Sequence, residues 1–128
     1  MAGEKNLQAL LHNMSPVLND GSYVFSIVES DIPSGVRPVV TVREKEGLTL
    51  IVEKSDADAA GLSYEYVAAW ITLEVHSALE AVGLTAAISN ALKEAGISCN
   101  VVAGYTHDHL FVPADRAHDA LAALRSFG

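Results

Sequence analysis

Residues 82–113, with the sequence VGLTAAISNALKEAGISCNVVAGYTHDHLFVP, decide the fold of this chain. A Gly-Leu-Thr turn opens an amphipathic helix predicted over about residues 85–95, and Gly96 ends it. Two β-branched runs predict strands over residues 98–105 and 109–112, joined by a polar tip. The free N–H groups at the start of such a helix, facing a strand edge, suit a small zwitterion.

Composition narrows the class of protein. The chain has 128 residues, half of them hydrophobic, and a net charge of −8. A sizeable core is therefore expected, and an acidic surface argues against binding nucleic acid. The single cysteine, Cys99, excludes an internal disulfide and lies in an apolar run, where it is interpreted as a small buried hydrophobe. No apolar run approaches 20 residues and no signal sequence is evident, so we expect no membrane association and a cytoplasmic protein.

The rest of the chain alternates between strand and helix patterns. Alternating β-branched runs predict strands, and apolar residues at helical spacing predict helices. Pro16 ends the first helix, and a Lys-Glu-Gly turn makes a tight hairpin. The predicted helices cover residues 7–14, 55–60 and about 115–124, and the predicted strands cover residues 23–28, 39–44, 48–53 and 67–76.

The two halves of the chain repeat one another at an offset of 60 residues. The repeat aligns Leu50 with Leu110, Val52 with Val112, Ala57 with Ala117 and Ala60 with Ala120. Together with the matching order of elements, it favours two related lobes of ferredoxin-like type, residues 1–64 and 65–128. Each lobe lacks one element, so we expect the lobes to share a sheet or exchange strands.

Two motifs make the sequence similar to a known family. REKEGLTL at residues 43–50 and HDHLFVP at residues 107–113 resemble the small standalone members of the ACT-domain family. The resemblance implies an α/β (α+β) fold of two ferredoxin-like βαββαβ lobes, with antiparallel sheets and helices on one face. It also implies a regulatory protein that binds amino acids and forms a homodimer.

The resemblance also implies a ligand site. In ACT domains the ligand meets the loop after the first strand, the start of the first helix and the second strand of a partner. Those positions correspond to Val82, Gly83, Leu84, Thr85 and Ala86 together with Asn100, Val101 and Val102. A structural interpretation stands beside this one, in which Gly83 permits a tight turn and Thr85 caps the helix.

Three further groups of polar residues are candidates for metal binding, catalysis or a charged surface. His76, His107 and His109 could hold a metal, but their spacing matches no established signature and Asp108 is expected at a hairpin tip. Ser77 follows His76 directly on a strand, so the two side chains point to opposite faces. Arg43, Glu44 and Glu46 fit a solvated rim. We therefore expect no catalytic residue, no metal and no cofactor.

These observations favour a non-catalytic sensor or allosteric module that binds a small molecule, an amino acid by resemblance. The alternative is a protein-interaction or structural module with a degenerate pocket, which would hold if Leu84 or Tyr105 filled the cavity near Thr85. Trp70 and Tyr105 are large enough to anchor a homodimer interface.

Overall fold

The structure, a computed structural model, describes residues 7–74 and 83–127, apart from the side chains of Gln8 and Leu10. Contacts divide the chain into two units. The central unit is residues 20–68, and the terminal unit comprises residues 7–19 and 69–127. The elements are α1 (Leu7–Asn13), β1 (Pro16–Leu18), β2 (Tyr23–Val28), β3 (Val40–Glu44), β4 (Gly47–Glu53), α2 (Lys54–Ala59), β5 (Val67–Leu73), α3 (Leu84–Glu94), β6 (Asn100–Ala103), β7 (Asp108–Pro113), a 3-10 turn (Ala114–Arg116) and α4 (Ala117–Arg125).

The sheet of the central unit has the strand order β3-β4-β2-β5. β2 pairs antiparallel with β4, from Tyr23 opposite Glu53 to Val28 opposite Leu48. The first two residues of β5, Val67 and Ala68, pair with the other edge of β2. The first strand of the unit is therefore interior, as in a ferredoxin-like fold, although no helix separates β2 from β3.

The hairpin between β3 and β4 depends on one glycine. Glu44 lies opposite Gly47, which leaves Lys45 and Glu46 as the turn. Gly47 has a φ of 152°. A Cβ atom there would overlap the carbonyl oxygen of Val28, so only glycine fits without moving the backbone.

The core of the central unit follows the two-residue period of its strands. Val24, Leu50 and Val52 are 0% exposed and pack with Ala57 of α2. Phe25 and Ile27 alternate with these core residues on β2, so they belong to the opposite face of the sheet. The central unit thus has a helix on one face, as expected.

The terminal unit takes its fourth strand from the N-terminal part of the chain. Its strand order is β1-β5-β7-β6, with Pro16 of β1 opposite Leu73 of β5. Residues 16–18 of the same chain therefore occupy the position of the fourth strand in this unit. The boundary between the two units falls within β5, between Ala68 and Ala69.

Helices α3 and α4 cover one face of the terminal sheet. Apolar side chains from strands and helices form one cluster, which includes Ile71, Leu73, Ile88, Leu92, Leu110, Val112, Ala120 and Leu124. The apolar spacing of the sequence predicts one buried stripe on α4, and Ala117, Ala120, Leu121 and Leu124 are all buried. In α3 the same spacing predicts that Ala95 belongs to the buried stripe, and this is wrong. Ala95 is exposed because the helix ends at Glu94 and Gly96 turns the chain with a φ of 73°.

The internal repeat is confirmed in three dimensions. Leu50 and Leu110, and likewise Val52 and Val112, are 0% exposed on equivalent strands. The mixed α/β class and the ferredoxin-like order are confirmed as well. The predicted lobe boundary between residues 64 and 65 stays a prediction.

Several strand boundaries differ from those that the sequence predicted. β6 covers only Asn100–Ala103, and the turn spans residues 104–107, closed by a hydrogen bond from the Gly104 N–H to the His107 carbonyl. Asp108 is the first residue of β7 and pairs with Ala103. Its predicted place at the hairpin tip was therefore wrong, because the turn lies earlier in the chain. The predicted strand over residues 67–76 ends at Leu73, and residues 75 and 76 lie outside the described part.

Candidate functional site

The start of α3 holds half of the ligand site that the sequence predicted. Gly83 is the N-cap residue, with a φ of 93°, and no side chain makes a cap hydrogen bond there. Thr85 is the second residue of the helix, so its predicted role as the cap was wrong. Thr85 and Ala86 are exposed, whereas Leu84 is only 3% exposed and packs in the core. Val82 lies outside the described residues.

The first backbone N–H groups of α3 have no partner within the helix, as at any helix start. The first intrahelical bond runs from the Ala87 N–H to the Gly83 carbonyl, at 2.9 Å. Leu7 of α1 borders this end, because a Cβ atom on Gly83 would lie 3.2 Å from its Cδ2. Tyr105, one of the two side chains expected to fill a degenerate pocket, is 85% exposed.

The other predicted half lies on β6. Asn100 is exposed, and Val101 and Val102 are half-buried. Asn100 follows the last residue of α3 by six positions, and a helix of 11 residues is about 16 Å long. Within one terminal unit, Asn100 therefore lies near the far end of α3, so the structure does not bring the two predicted halves of the site together.

His109 belongs to a polar network on the sheet face opposite the helices. Trp70 donates its indole N–H to Nδ1 of His109 at 3.0 Å, and the Thr72 hydroxyl lies 3.3 Å from the same nitrogen. Asn19 donates to the Thr72 hydroxyl at 3.0 Å. Burial, followed by the neighbouring His107 charge, lowers the pKa of His109, while Asp108 opposes the shift. His109 is thus a neutral acceptor that ties β7 to β5.

Neither His107 nor His109 belongs to a metal-binding group within the described part of the chain. His107 lies in the turn before β7, and its Nδ1 is buried without a hydrogen-bond partner. No group of three or more His, Cys, Asp or Glu residues within residues 7–74 and 83–127 is arranged to hold a metal ion. His76 and Ser77 lie outside those ranges.

Cys99 is a poor nucleophile. The residue is half-buried before β6, and burial raises the pKa of its thiol to about 11. The thiolate, the reactive form, is therefore scarce near neutral pH. Cys99 packs against the core of the terminal unit but is half-buried, whereas the sequence interpretation had it buried.

The central unit carries a groove that the sequence interpretation missed. The groove has a volume of about 560 Å³. It is lined by Phe25, Ser26, Ile27, Glu44, Thr49, Ser63, Tyr64, Glu65 and Tyr66. One signal was available, because Tyr23–Val28 (YVFSIV) carries apolar residues on both faces of its strand. Glu44, interpreted as part of a solvated rim, lines this groove.

None of the helices in the described residues is long and apolar enough to cross a membrane.

Comparison with known proteins places the chain in a family. Two ACT-domain models match it, one over residues 2–69 and the other over residues 65–126. Among curated proteins, no sequence matches. The chain belongs to the ACT-domain family, and its two lobes are both ACT domains, as the resemblance implied.

Several solved structures share the fold. A protein of unknown function from Vibrio cholerae, described as a possible transport protein, is 50% identical, with a TM-score of 0.86 and 94% of both chains covered. The regulatory subunit of aspartate kinase from Thermus thermophilus, in its ligand-free form, is 13% identical, with a TM-score of 0.66, covering 88% of this chain and 95% of that one. Aspartokinase III of E. coli, in complex with aspartate and ADP, is 10% identical, with a TM-score of 0.63, covering 92% of this chain and 33% of that one.

Proposed function

We propose that the protein is a non-catalytic regulatory module that binds an amino acid or a related zwitterion. The observation that carries the proposal is the double ACT-domain match, which spans residues 2–126 without interruption. The Thermus thermophilus protein that shares the fold is the regulatory subunit of aspartate kinase. We also propose that the protein is cytoplasmic and acts as a homodimer.

The binding half contributed by α3 supports the proposal chemically. The helix begins at a glycine without a side-chain cap, and Thr85 and Ala86 beside it are exposed. Backbone N–H groups and the positive end of the helix dipole together favour a carboxylate at this position. Asn100 from a partner strand would then accept a hydrogen bond from the ammonium group through its side-chain carbonyl.

Regulation would follow from linkage. A ligand that bridges two protomers stabilises the arrangement to which it binds by RT ln(1 + [L]/Kd). Because that ligand does not stabilise other arrangements equally, it shifts the population and biases any protein that recognises one of them.

Isothermal titration calorimetry and thermal shift measurements with the twenty amino acids test this function. We expect heat and a raised Tm with at least one of them, at one site per protomer. A lost hydrogen bond to an ammonium group costs about 1.5–3 kcal/mol. Asn100→Ala should therefore weaken binding roughly tenfold or more.

The matched control is Asn90→Ala, since Asn90 is an exposed asparagine on α3 away from its start. We expect it to leave the Kd unchanged. Absence of heat and of any Tm shift with all twenty amino acids would contradict the proposal, and so would equal affinity in the Asn100→Ala protein. Sedimentation equilibrium tests the homodimer.

A further inference from the structure

The groove of the central unit lies on the sheet face that its helix does not cover. Val24 and Val28 of β2 pack in the core with α2, and Phe25 and Ile27, which alternate with them, face the other way. Phe25 and Ile27 form the floor of the groove, and residues 63–66 form one wall. Ile27 is 52% exposed, so the floor is an apolar surface open to a ligand.

Hydrogen bonds fix the wall formed by residues 63–66, which carries the rings of Tyr64 and Tyr66. The Ser26 hydroxyl donates to the Ser63 carbonyl at 2.7 Å, which ties the wall to β2. The Tyr64 hydroxyl donates to Asp58 at 2.7 Å. The rings of Phe25 and Tyr66 lie 5.9 Å apart at an interplanar angle of 52°. The groove is therefore formed before any ligand enters, which lowers the entropic cost of binding.

The charged residues that line the groove are all acidic. Glu44 and Glu65 line it, and none of its lining residues is Lys, Arg or His. Thr49 donates a hydrogen bond to the Glu44 carboxylate, which positions that carboxylate above the floor. Glu44 also borders a separate cavity that Arg43 and Lys45 line. Lys54 lies over the Tyr64 ring at 5.9 Å and forms an ion pair with Asp58 at 3.1 Å, so its charge is already matched.

We propose that this groove binds a small organic cation, a primary amine that carries an aromatic or apolar group. The ammonium group would lie between the carboxylates of Glu44 and Glu65, and the apolar group would cover Phe25, Ile27 and Tyr66. An α-amino acid fits less well, because its own carboxylate would face these two glutamates. The proposed ligand and its position are therefore distinct from those at the start of α3.

Three probes of similar shape and different charge test the proposal. Phenethylamine is a cation at pH 7, 2-phenylethanol is neutral and 3-phenylpropanoate is an anion. We expect calorimetry to detect phenethylamine binding, with the other two at least tenfold weaker. Equal affinity for 2-phenylethanol would overturn the proposal, because the groove would then be recognising only an apolar group. So would an absence of heat with phenethylamine.

Glu44→Gln removes one charge and keeps an acceptor for Thr49. We expect it to weaken phenethylamine binding at least fivefold, while Glu53→Gln, an exposed site outside the groove, leaves binding unchanged. Equal affinity in the Glu44→Gln and Glu53→Gln proteins would overturn the assignment. Circular dichroism confirms that both variants are folded.

Failure of this proposal is separable from failure of the proposed function. Asn100→Ala should leave phenethylamine binding unchanged, and Glu44→Gln should leave amino-acid binding unchanged. If Glu44→Gln abolished both kinds of binding equally, the two sites would not be independent and the groove assignment would be wrong.

Discussion

The central and terminal units share one strand order but treat the uncovered face of the sheet in opposite ways. In the central unit, Ile27 and Val42 are 52% and 47% exposed on that face. In the terminal unit, Phe111 is 0% exposed there and stacks on Trp70 with ring centroids 6.3 Å apart. The same strand order is therefore compatible with an exposed apolar surface on this face in one unit and with a fully buried aromatic ring in the other.

The units also differ between their first and second strands. The terminal unit contains α3 after its first strand, whereas the central unit has no helix between β2 and β3. A helix that begins directly after the first strand of a unit, the position proposed to bind a carboxylate, therefore occurs once in the described chain. The groove with two glutamates, conversely, belongs to the central unit. Duplication of a fold has thus not duplicated the candidate sites.

The largest expected difference in the free energy of unfolding comes from truncating one large residue on the uncovered sheet face of each unit. Phe111→Ala removes a fully buried ring and leaves a cavity, so we expect a loss of about 3–5 kcal/mol in the free energy of unfolding. Ile27→Ala removes a half-exposed side chain, so we expect a change of about 0.5 kcal/mol or less. Urea unfolding followed by circular dichroism measures both, and equal losses would contradict the contrast between a closed and an open face.

Glycine substitutions give an intermediate effect. Gly47→Ala forces a Cβ atom against the Val28 carbonyl oxygen in the β3–β4 hairpin, at a φ that disfavours other residues. We expect a loss of about 1–3 kcal/mol in the free energy of unfolding. Gly61→Ala is the control, because Gly61 has a positive φ but nothing within 4 Å of the added atom. A loss no larger for Gly47→Ala than for Gly61→Ala would show that the hairpin accommodates the contact.

The smallest effect is a pH dependence of the terminal unit. Burial and the neighbouring His107 lower the pKa of His109 below its ordinary value of 6.5, so folding favours the neutral ring. Protonation of Nδ1 would remove the acceptor for the Trp70 N–H. The stability that neutral His109 contributes is therefore fully present above pH 6.5 and is lost as the pH falls through the lowered pKa.

Trp70 is the single tryptophan of the chain, so its fluorescence reports this step directly. We expect its emission to change below pH 6.5 and the free energy of unfolding to fall in the same window. His109→Gln should abolish the step, and His118→Gln, on an exposed face of α4, should retain it. Asp108 is the neighbouring group whose pKa is also shifted: burial raises the pKa of its carboxyl above the ordinary value of 3.8. An emission step that survives in the His109→Gln protein would assign the titration to another group.

The sequence predicted the local elements well because their signals are local. The Tyr23–Val28 strand, the β3–β4 hairpin and the buried stripe of α4 each follow from the spacing of apolar residues along a few turns or strand positions. The repeat and the two motifs also indicated the fold family. In the structure, Leu110 and Val112 occupy core positions equivalent to those of Leu50 and Val52. The start of α3 was likewise predicted to within one residue.

Only the tertiary structure decided which segments meet. β1 is three residues long, too short to show a period, yet it completes the terminal sheet opposite Leu73. Trp70 and His109 are 39 residues apart in the chain and share a hydrogen bond. The groove joins β2, the end of β3, β4 and residues 63–66. Patterns of neighbouring residues encode backbone conformation, whereas pairings and cavities depend on distances between remote segments, which only packing of the whole unit fixes.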